Sequence, residues 1–448
     1  MNKLFRPIDI ASLVFFRIIF GIFAFVDVLS SYLYYHIDKE AFNPANYQFP
    51  YYGFEWVRVF PDPWMTLFLF ALMLLAILIT FGWYYRISCS LFFLGFTYLF
   101  LLEKANYLNH AYLFCWISFV MIFLPANRAA SMDVRQARVP YQAIIPYWPL
   151  FLLQFLMGVV YFFGGIAKIN FDWLRAMPLQ LWLPSKSGTP LIGGLLDEPM
   201  VAYFMAYGGV LFDLTIVPLL LFRQTRGLAF GLALFFHLTN ALIFSIGIFP
   251  YLSLALTALF FAPNFPRKLL RPIGQKWPRL GLKAWVVSPI IPTHPSFEQK
   301  LIVRLSILCL VLIHVFLPLR HHLFPTPVAW TEEGHRYAWR MMLRSKAGSG
   351  VFVVEDLTTD TQIKVDPRDY LSYKQERKMY THPDMILQFA HFLQREYEAK
   401  GQQVAIYADI QVKLNDHPRQ RFVDPTVDLT TIKWKFFQSA DWILPAEF

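Results

Sequence analysis

The sequence predicts a polytopic α-helical membrane protein that carries a C-terminal α+β soluble domain. Three observations predict it. Of 448 residues, 56% are hydrophobic and only 16% are charged. Several apolar runs exceed the roughly 18 residues that a helix needs to cross a bilayer. The basic residues collect in alternate loops, as the positive-inside rule requires.

Taken in order, about nine spans are expected, at 8–34, 64–82, 86–103, 109–126, 146–168, 204–222, 226–247, 249–263 and 300–319. Polar residues punctuate the third, and the eighth is short. The first follows Met1-Asn2-Lys3-Leu4-Phe5-Arg6 with no clear cleavage site, so it reads as a retained anchor. With a cytoplasmic N-terminus, the cytoplasmic side holds Lys3, Arg6, Arg86, Arg128, Arg135, Arg138, Arg223, Arg226 and the basic stretch from Arg267 to Lys283. The other side holds only Lys39, Arg58, Lys104, Arg175 and Lys186 before the last span. Nine crossings place the C-terminus on that far side. The expected division is a transmembrane helical domain over 1–319, which carries the candidate catalytic residues, and a non-cytoplasmic α+β domain over 320–448. Within the latter, Val351–Val354, Gln362–Val365 and Val404–Ile410 read as strands, and Met385–Tyr397 as a helix. The segment from Leu174 to Tyr203, rich in Trp, Pro and Gly, reads as an amphipathic or re-entrant piece at the membrane surface.

Other totals exclude function classes. A net charge of +10 belongs to particular loops and implies no nucleic acid. The three cysteines, Cys89, Cys115 and Cys309, lie in hydrophobic runs, so no disulfide framework is expected. Metal-ligand spacing, a phosphate loop and a hydrolase elbow are all missing from the sequence, so no metal site is expected. Aromatic residues reach 18%, with 46 Phe. Lipid contact and interfacial belts account for them, as does a pocket for a flat, apolar ligand.

Three polar clusters interrupt the apolar pattern: Glu103–His110, Lys168–Trp173, and Phe236–Asn240. Lys168 is the most informative. A lysine costs about 2.5–3.5 kcal/mol at a membrane centre, and desolvation disfavours its ammonium form. It therefore reads as a candidate neutral amine, a base. Alternatively it snorkels to the headgroups, or pairs with Asp172 one helical turn on. His110 caps a helix or faces a site. His237 and Asn240 share a helical face and bond a neighbouring helix or a ligand. Arg17 and Asp27 in the first span read as a structural polar contact.

Together these clusters resemble the vitamin K-dependent γ-glutamyl carboxylase family. The resemblance rests on Tyr85-Arg86-Ile87-Ser88-Cys89, Phe100–Lys104 running on to Asn109–Leu113, and Val160–Lys168. It continues through His237 with Phe244–Gly247, Tyr337–Met342, Asn415-Asp416 and Gln420–Pro425. It covers nearly the whole chain, in order.

The resemblance implies a two-stage reaction. A lysine amine deprotonates vitamin K hydroquinone, from phylloquinone or menaquinone. The anion reacts with O2 on the way to the epoxide. A strongly basic oxygen intermediate takes a proton from the γ-carbon of a glutamate in a peptide or protein, and the carbanion adds CO2. The family lysine falls on Lys168 and the family histidine on His110, with Asn109 beside it. Phe163 and Gly164 would let a quinone ring approach the backbone, with His237 and Asn240 as further quinone-binding candidates. Tyr337, Trp339 and Met341 resemble the family's glutamate-binding segment. Arg344, Lys346, Arg377 and Arg421 are cationic candidates for gripping a carboxylate, though each also reads as a solvated charge, and His321 is a further candidate.

Arg340 and Arg344 stand where animal members carry an acidic residue and a histidine. The lumenal cysteines of animal members have no counterparts, only Ala167 precedes Lys168, and the C-terminal region is shorter. These departures leave the epoxidation residues intact and bear on the peptide half. The competing readings are a hydroquinone epoxidase without peptide carboxylation, and a non-catalytic quinone- or lipid-binding membrane protein. The compartment implied is a bacterial inner membrane with the C-terminal domain periplasmic, or the endoplasmic reticulum with that domain lumenal.

Overall fold

A computed structural model describes residues 2–35, 47–276 and 297–447. Lys39 and residues 277–283 of the basic stretch lie outside the described residues. Among those described, an apolar helix forms at every expected span: α1 (Ala11–Tyr35), α2 (Trp64–Phe81), α3 (Tyr85–Leu102), α4 (Asn109–Phe123), α5 (Trp148–Ala167), α6 (Pro199–Leu221), α7 (Arg226–Ile243), α8 (Phe249–Ala258) and, beyond a basic helix α9 (Phe265–Lys276), α10 (Phe297–Leu319). Seven are long and apolar enough to cross a membrane, which makes this an integral membrane protein. The other two, α4 and α8, are shorter, with 15 and 10 residues. Proline sets both limits. Pro125 pushes Leu124 into extended backbone and ends α4, and Pro250 sits in the first turn of α8.

The cytoplasmic face expected from loop charge is tied by polar groups at helix ends. Helix α2 stops at Gly82, whose φ of +61° is left-handed and whose N–H bonds the Ile79 carbonyl at 3.0 Å. A Cβ there would also meet Ser131 at 2.6 Å. The Asp133 carboxylate accepts from the Tyr84 and Tyr85 N–H groups at 2.8 and 3.1 Å, satisfying the free N-terminus of α3. Arg17, fully buried, donates to the carbonyls of Ala126, Ala129 and Ala130. It therefore does not meet Asp27, contrary to expectation. Ten residues separate them on α1, about 15 Å along the axis.

Helices α1, α2, α3 and α4 pack in succession, and α6, α7 and α8 do the same around α5. Helix α5 is the most enclosed of the crossing helices. The stretch 174–203 crosses nothing. It forms short helical turns around its own small core of Trp173, Leu179, Leu183 and Leu196, and leads into α6 five residues earlier than expected, at Pro199.

The C-terminal region forms a four-stranded antiparallel sheet in the order β4-β3-β5-β6. A two-stranded pair, β1 (Pro7–Asp9) with β2 (Ile144–Pro146), precedes it in the chain. In the large sheet β3 is Lys346–Asp356, β4 Thr361–Val365, β5 Val404–Leu414 and β6 Gln420–Arg421. Each expected strand is present and longer than its alternating apolar core. Two helices pack on the sheet: α11 (Tyr373–Met379), started by a Ser372–Gln375 capping box, and α12 (Pro383–Glu398). Met385, Ile386, Phe389 and Leu393 form the buried stripe of α12, with Phe389 edge-on to Phe352 at 4.9 Å. Residues far earlier in the chain complete this core, because Phe49 and Ala105 are buried within it.

Candidate functional site

The two sets of helices leave a cavity of about 1430 Å³ that continues into the C-terminal region. Its inner part receives Lys168, His110, Asn109, His237 and Asn240, the residues that sequence spacing could not bring together.

Lys168 caps the end of α5 and forms an ion pair with Asp213 of α6. Its amine also lies 5.6 Å from the Trp173 ring, which is fixed by an indole N–H bond to the Ala206 carbonyl at 2.9 Å. Asp172, the partner weighed from sequence, is used elsewhere. Its carboxylate accepts from Asn415 Nδ2 at 2.6 Å and bonds His417 Nε2 at 3.0 Å, fastening the end of α5 to the sheet domain. Asp213 is the main residue that sequence reading missed. Its signal was present: an acid inside the apolar run Phe212-Asp213-Leu214, where an unpartnered carboxylate would be costly.

Gly164 and Gly165 make that pair possible. A Cβ at Gly165 would come within 3.1 Å of the Asp213 Cβ and 2.7 Å of Leu214, and one at Gly164 would meet the Asp213 carboxylate at 3.4 Å and Met341 at 3.7 Å. The glycines therefore admit α6 and the 339–341 loop, and that side is not open to a ring. Phe163 is buried in the helical core and does not line the cavity.

On the opposing set of helices, His110 sits in the first turn of α4 with its ring roughly parallel to Phe249 at 6.1 Å. His237 is buried, bonds the Tyr161 hydroxyl at 2.8 Å and lies 6.4 Å from the same Phe249. Tyr161 in turn bonds Thr257 at 2.9 Å, so His237 belongs to a continuous polar chain in an otherwise aromatic wall. Asn240 donates to the Phe236 carbonyl at 2.8 Å. Asn109 accepts from Tyr107 at 3.0 Å and points Nδ2 at the Arg340 carbonyl, 3.5 Å away. It holds a loop as well as bordering the cavity.

That loop runs from Tyr337 to Met342 and is strained. Tyr337, Trp339 and Met342 have φ of +63°, +57° and +51°, conformations that cost roughly 1–3 kcal/mol each outside glycine. Contacts enforce them: the Tyr337 N–H donates to the Tyr107 hydroxyl at 2.6 Å, and Trp339 is buried 5.3 Å from the Tyr112 ring. Tyr337 and Trp339 thus face protein, and Met341 and Met342 face the cavity.

The outer part of the cavity is a cationic vestibule lined by Arg340, Arg344, Lys346, Lys374, Arg377 and Lys378. Arg344 and Lys346 share Glu332, with Lys346 at 3.6 Å, and Lys346 also reaches the carbonyls of Trp330 and Thr381. Burial pulls the Lys346 ammonium down to about 7 against the pull of Glu332, and brings Arg340 down to about 10. Burial also holds His335 and His382 well below the usual imidazole range, so both are neutral. Glu332, His335 and His382 lie close enough to share a metal ion. With Arg344 and Lys346 already on the carboxylate, however, the electrostatics there favour an anion over a cation. Two candidates fall outside the cavity. Arg421 pairs with Asp409 at 3.0 Å on the exposed sheet edge, and His321 bonds the Pro318 carbonyl at 2.8 Å beside His322.

The first polar cluster divides in two. Asn109 and His110 reach the inner cavity. Glu103 and Lys104 join the two regions of the molecule, with Lys104 also bordering the cavity: Lys104 bonds Asp384 at 2.6 Å and Gln388 at 2.7 Å, and Glu103 accepts from Ala105, Gln375 and Phe49. Burial lowers Lys104 to about 8 and raises Glu103 to about 7. Asp384 stays well below the carboxylate range despite its burial, because Arg336 and Lys104 both face it.

Two known families match the chain. Residues 5–265 match the HTTM domain family, and residues 299–448 match the lumenal domain of vitamin K-dependent gamma-carboxylase. No solved structure matches the chain.

Proposed function

The chain belongs to the vitamin K-dependent gamma-carboxylase family, and from that premise we propose that it couples vitamin K hydroquinone epoxidation by O2 to CO2 addition at the γ-carbon of a peptide glutamate. One observation carries the reading. A single cavity joins an intramembrane base, Lys168 with Asp213, to a cationic vestibule on the far side. The cavity as a whole, about 1430 Å³ with the vestibule included, has room for a naphthoquinone ring and part of its isoprenoid tail in its aromatic inner part. The hydroquinone supplies the electrons and, with O2, the strong base that glutamate deprotonation needs.

The residues then take distinct roles. Lys168 hands its ion-pair proton to Asp213, and as the free amine then accepts a hydroxyl proton of the hydroquinone, with Asp213 fixing it in position. His110, a neutral donor beside Phe249, stabilises negative charge that develops on the ring oxygen. The aromatic walls exclude water, which would quench a base stronger than any side chain. Arg344 and Lys346 orient the glutamate carboxylate, and Met341 and Met342 close the passage between peptide and quinone. In this reading residues 1–319 form the catalytic domain and 320–448 the glutamate-binding domain, on the periplasmic or lumenal side of the membrane.

The test gives purified protein vitamin K hydroquinone, bicarbonate labelled with ¹⁴C and a glutamate peptide, and follows epoxide and fixed label. Both products are expected, and both should vanish in Lys168→Ala. Epoxide without fixed label across varied peptides would reduce the activity to epoxidation alone, and no epoxide from any quinone would overturn the reading.

A further inference from the structure

The ionisable group that this scheme leaves idle is Asp27. It lies on α1, eight residues before the helix ends at Tyr35, so roughly 12 Å inside its far end. Its side chain lines the same cavity as Lys168 and His110. Among the described residues it has no hydrogen-bond or ion-pair partner, whereas the other intramembrane carboxylate of the cavity, Asp213, is taken by Lys168. A carboxyl group kept in a membrane without a partner is costly, so such residues mark proton and ion routes. Ser30 and Ser31 also line the cavity. They follow Asp27 at i+3 and i+4, and so extend its face of the helix by one turn toward the far side.

The proton count of the proposed reaction leaves one proton to be exported in every turnover. As the hydroquinone becomes a dione, both hydroxyls lose a proton and each O–H electron pair stays on oxygen. The glutamate γ-carbon loses a third proton when it gains CO2. One atom of O2 enters the epoxide and the other leaves as water, which removes two of the three protons. One proton must leave the cavity in every turnover, and Lys168, paired with Asp213, is the one acceptor that the scheme above names. On the basis of the function proposed above, we propose that Asp27 is a second catalytic proton acceptor. It takes the proton of the hydroxyl that Lys168 does not serve and passes it along Ser30 and Ser31 to the far side.

The test compares Asp27→Asn and Asp27→Glu with the parent enzyme and Lys168→Ala, in detergent, with saturating O2. The expected result is a kcat for epoxide at least tenfold lower in Asp27→Asn, with KM for hydroquinone within twofold and an unchanged thermal midpoint. Asp27→Glu should recover most of the rate. Wild-type kcat in Asp27→Asn would overturn the proposal while leaving the Lys168 chemistry intact. So would a lost rate that comes with a lower midpoint and is not recovered by Glu, since that describes packing. Absence of epoxide from the parent enzyme would remove both proposals together.

Discussion

Lys104 and Lys168 are alike in sequence and unlike in surroundings. Each follows the C-terminal end of a long apolar helix, and each faces a buried aspartate. Lys104 is enclosed: Asp384 and Gln388 take its protons, the Tyr52 ring lies 4.8 Å away, and 2% of its side chain is exposed. Lys168 has one charged partner, and 12% of its side chain opens onto the chamber. Burial beside a carboxylate is common to both, so it does not by itself define a base. Both lysines border the cavity, and the larger exposed share of the Lys168 side chain is what fits it to the base proposed above.

Two substitutions bear on that difference most strongly. Lys168→Ala should lower epoxide formation by about 10²–10⁴-fold, the usual span for removing a general base, and added small primary amines should restore part of it. Lys104→Met should act on stability instead. Removing one partner of a buried pair costs about 3–5 kcal/mol, here toward the low end because Arg336 still faces Asp384 at 2.6 Å. Thermal unfolding in detergent reads the second effect, and epoxide per folded molecule reads the first. If Lys104→Met lost epoxidation without losing stability, the contrast between the lysines would collapse.

The vestibule provides the next effect in size. Arg344→Ala removes a charged hydrogen-bond donor for the peptide carboxylate, worth about 1.5–3 kcal/mol. The KM for a glutamate peptide should rise roughly 10–150-fold, measured by fixed ¹⁴CO2, with a much smaller change in kcat for epoxide. Equal loss of both would place Arg344 in the chamber's own chemistry and blur the division between base and vestibule.

Much of this was legible in the sequence, and the rest failed for identifiable reasons. Apolar runs and alternating strands report local periodicity, so all nine helices and the three main strands appear where expected. Lys168, His110 and His237 stood out because polar groups are costly in apolar runs. The Lys168–Asp213 pair was not legible, because 45 residues separate its members and nothing local selects Asp213 over Asp172. The role of Gly164 and Gly165 was hidden for the same reason, since it depends on which helix lies against α5. Phe49 and Ala105 lie between the expected spans, yet they complete the core of a region that begins hundreds of residues later.

The joint around Lys104 also carries a pH signature. Burial raises Glu103 from 4.5 to about 7. A carboxyl raised on folding binds more protons in the native state, so its contribution is complete below pH 4.5 and is lost as pH rises to 7. Lys104, lowered from 10.5 to about 8, contributes in the opposite sense, adding stability as pH rises from 8 to 10.5. Glu103→Gln should therefore flatten the fall in thermal midpoint between pH 4.5 and 7 and leave the alkaline limb in place. An unchanged slope below pH 7 would assign that limb to other groups.

The smallest effect is expected where a cation is paired but exposed. Arg421 meets Asp409 at 3.0 Å with about half of its side chain in solvent. Surface pairs of this kind contribute about 0–1 kcal/mol, because water screens the attraction and two long side chains must be held in one geometry. Arg421→Ala should lower the unfolding free energy by no more than that and leave fixed ¹⁴CO2 at the parent level, since its side chain lies at the sheet edge, outside the cavity. A tenfold loss of carboxylation in this variant would mean that the peptide runs across the sheet edge as well as the vestibule, and Arg421 would then be a contact for bound peptide.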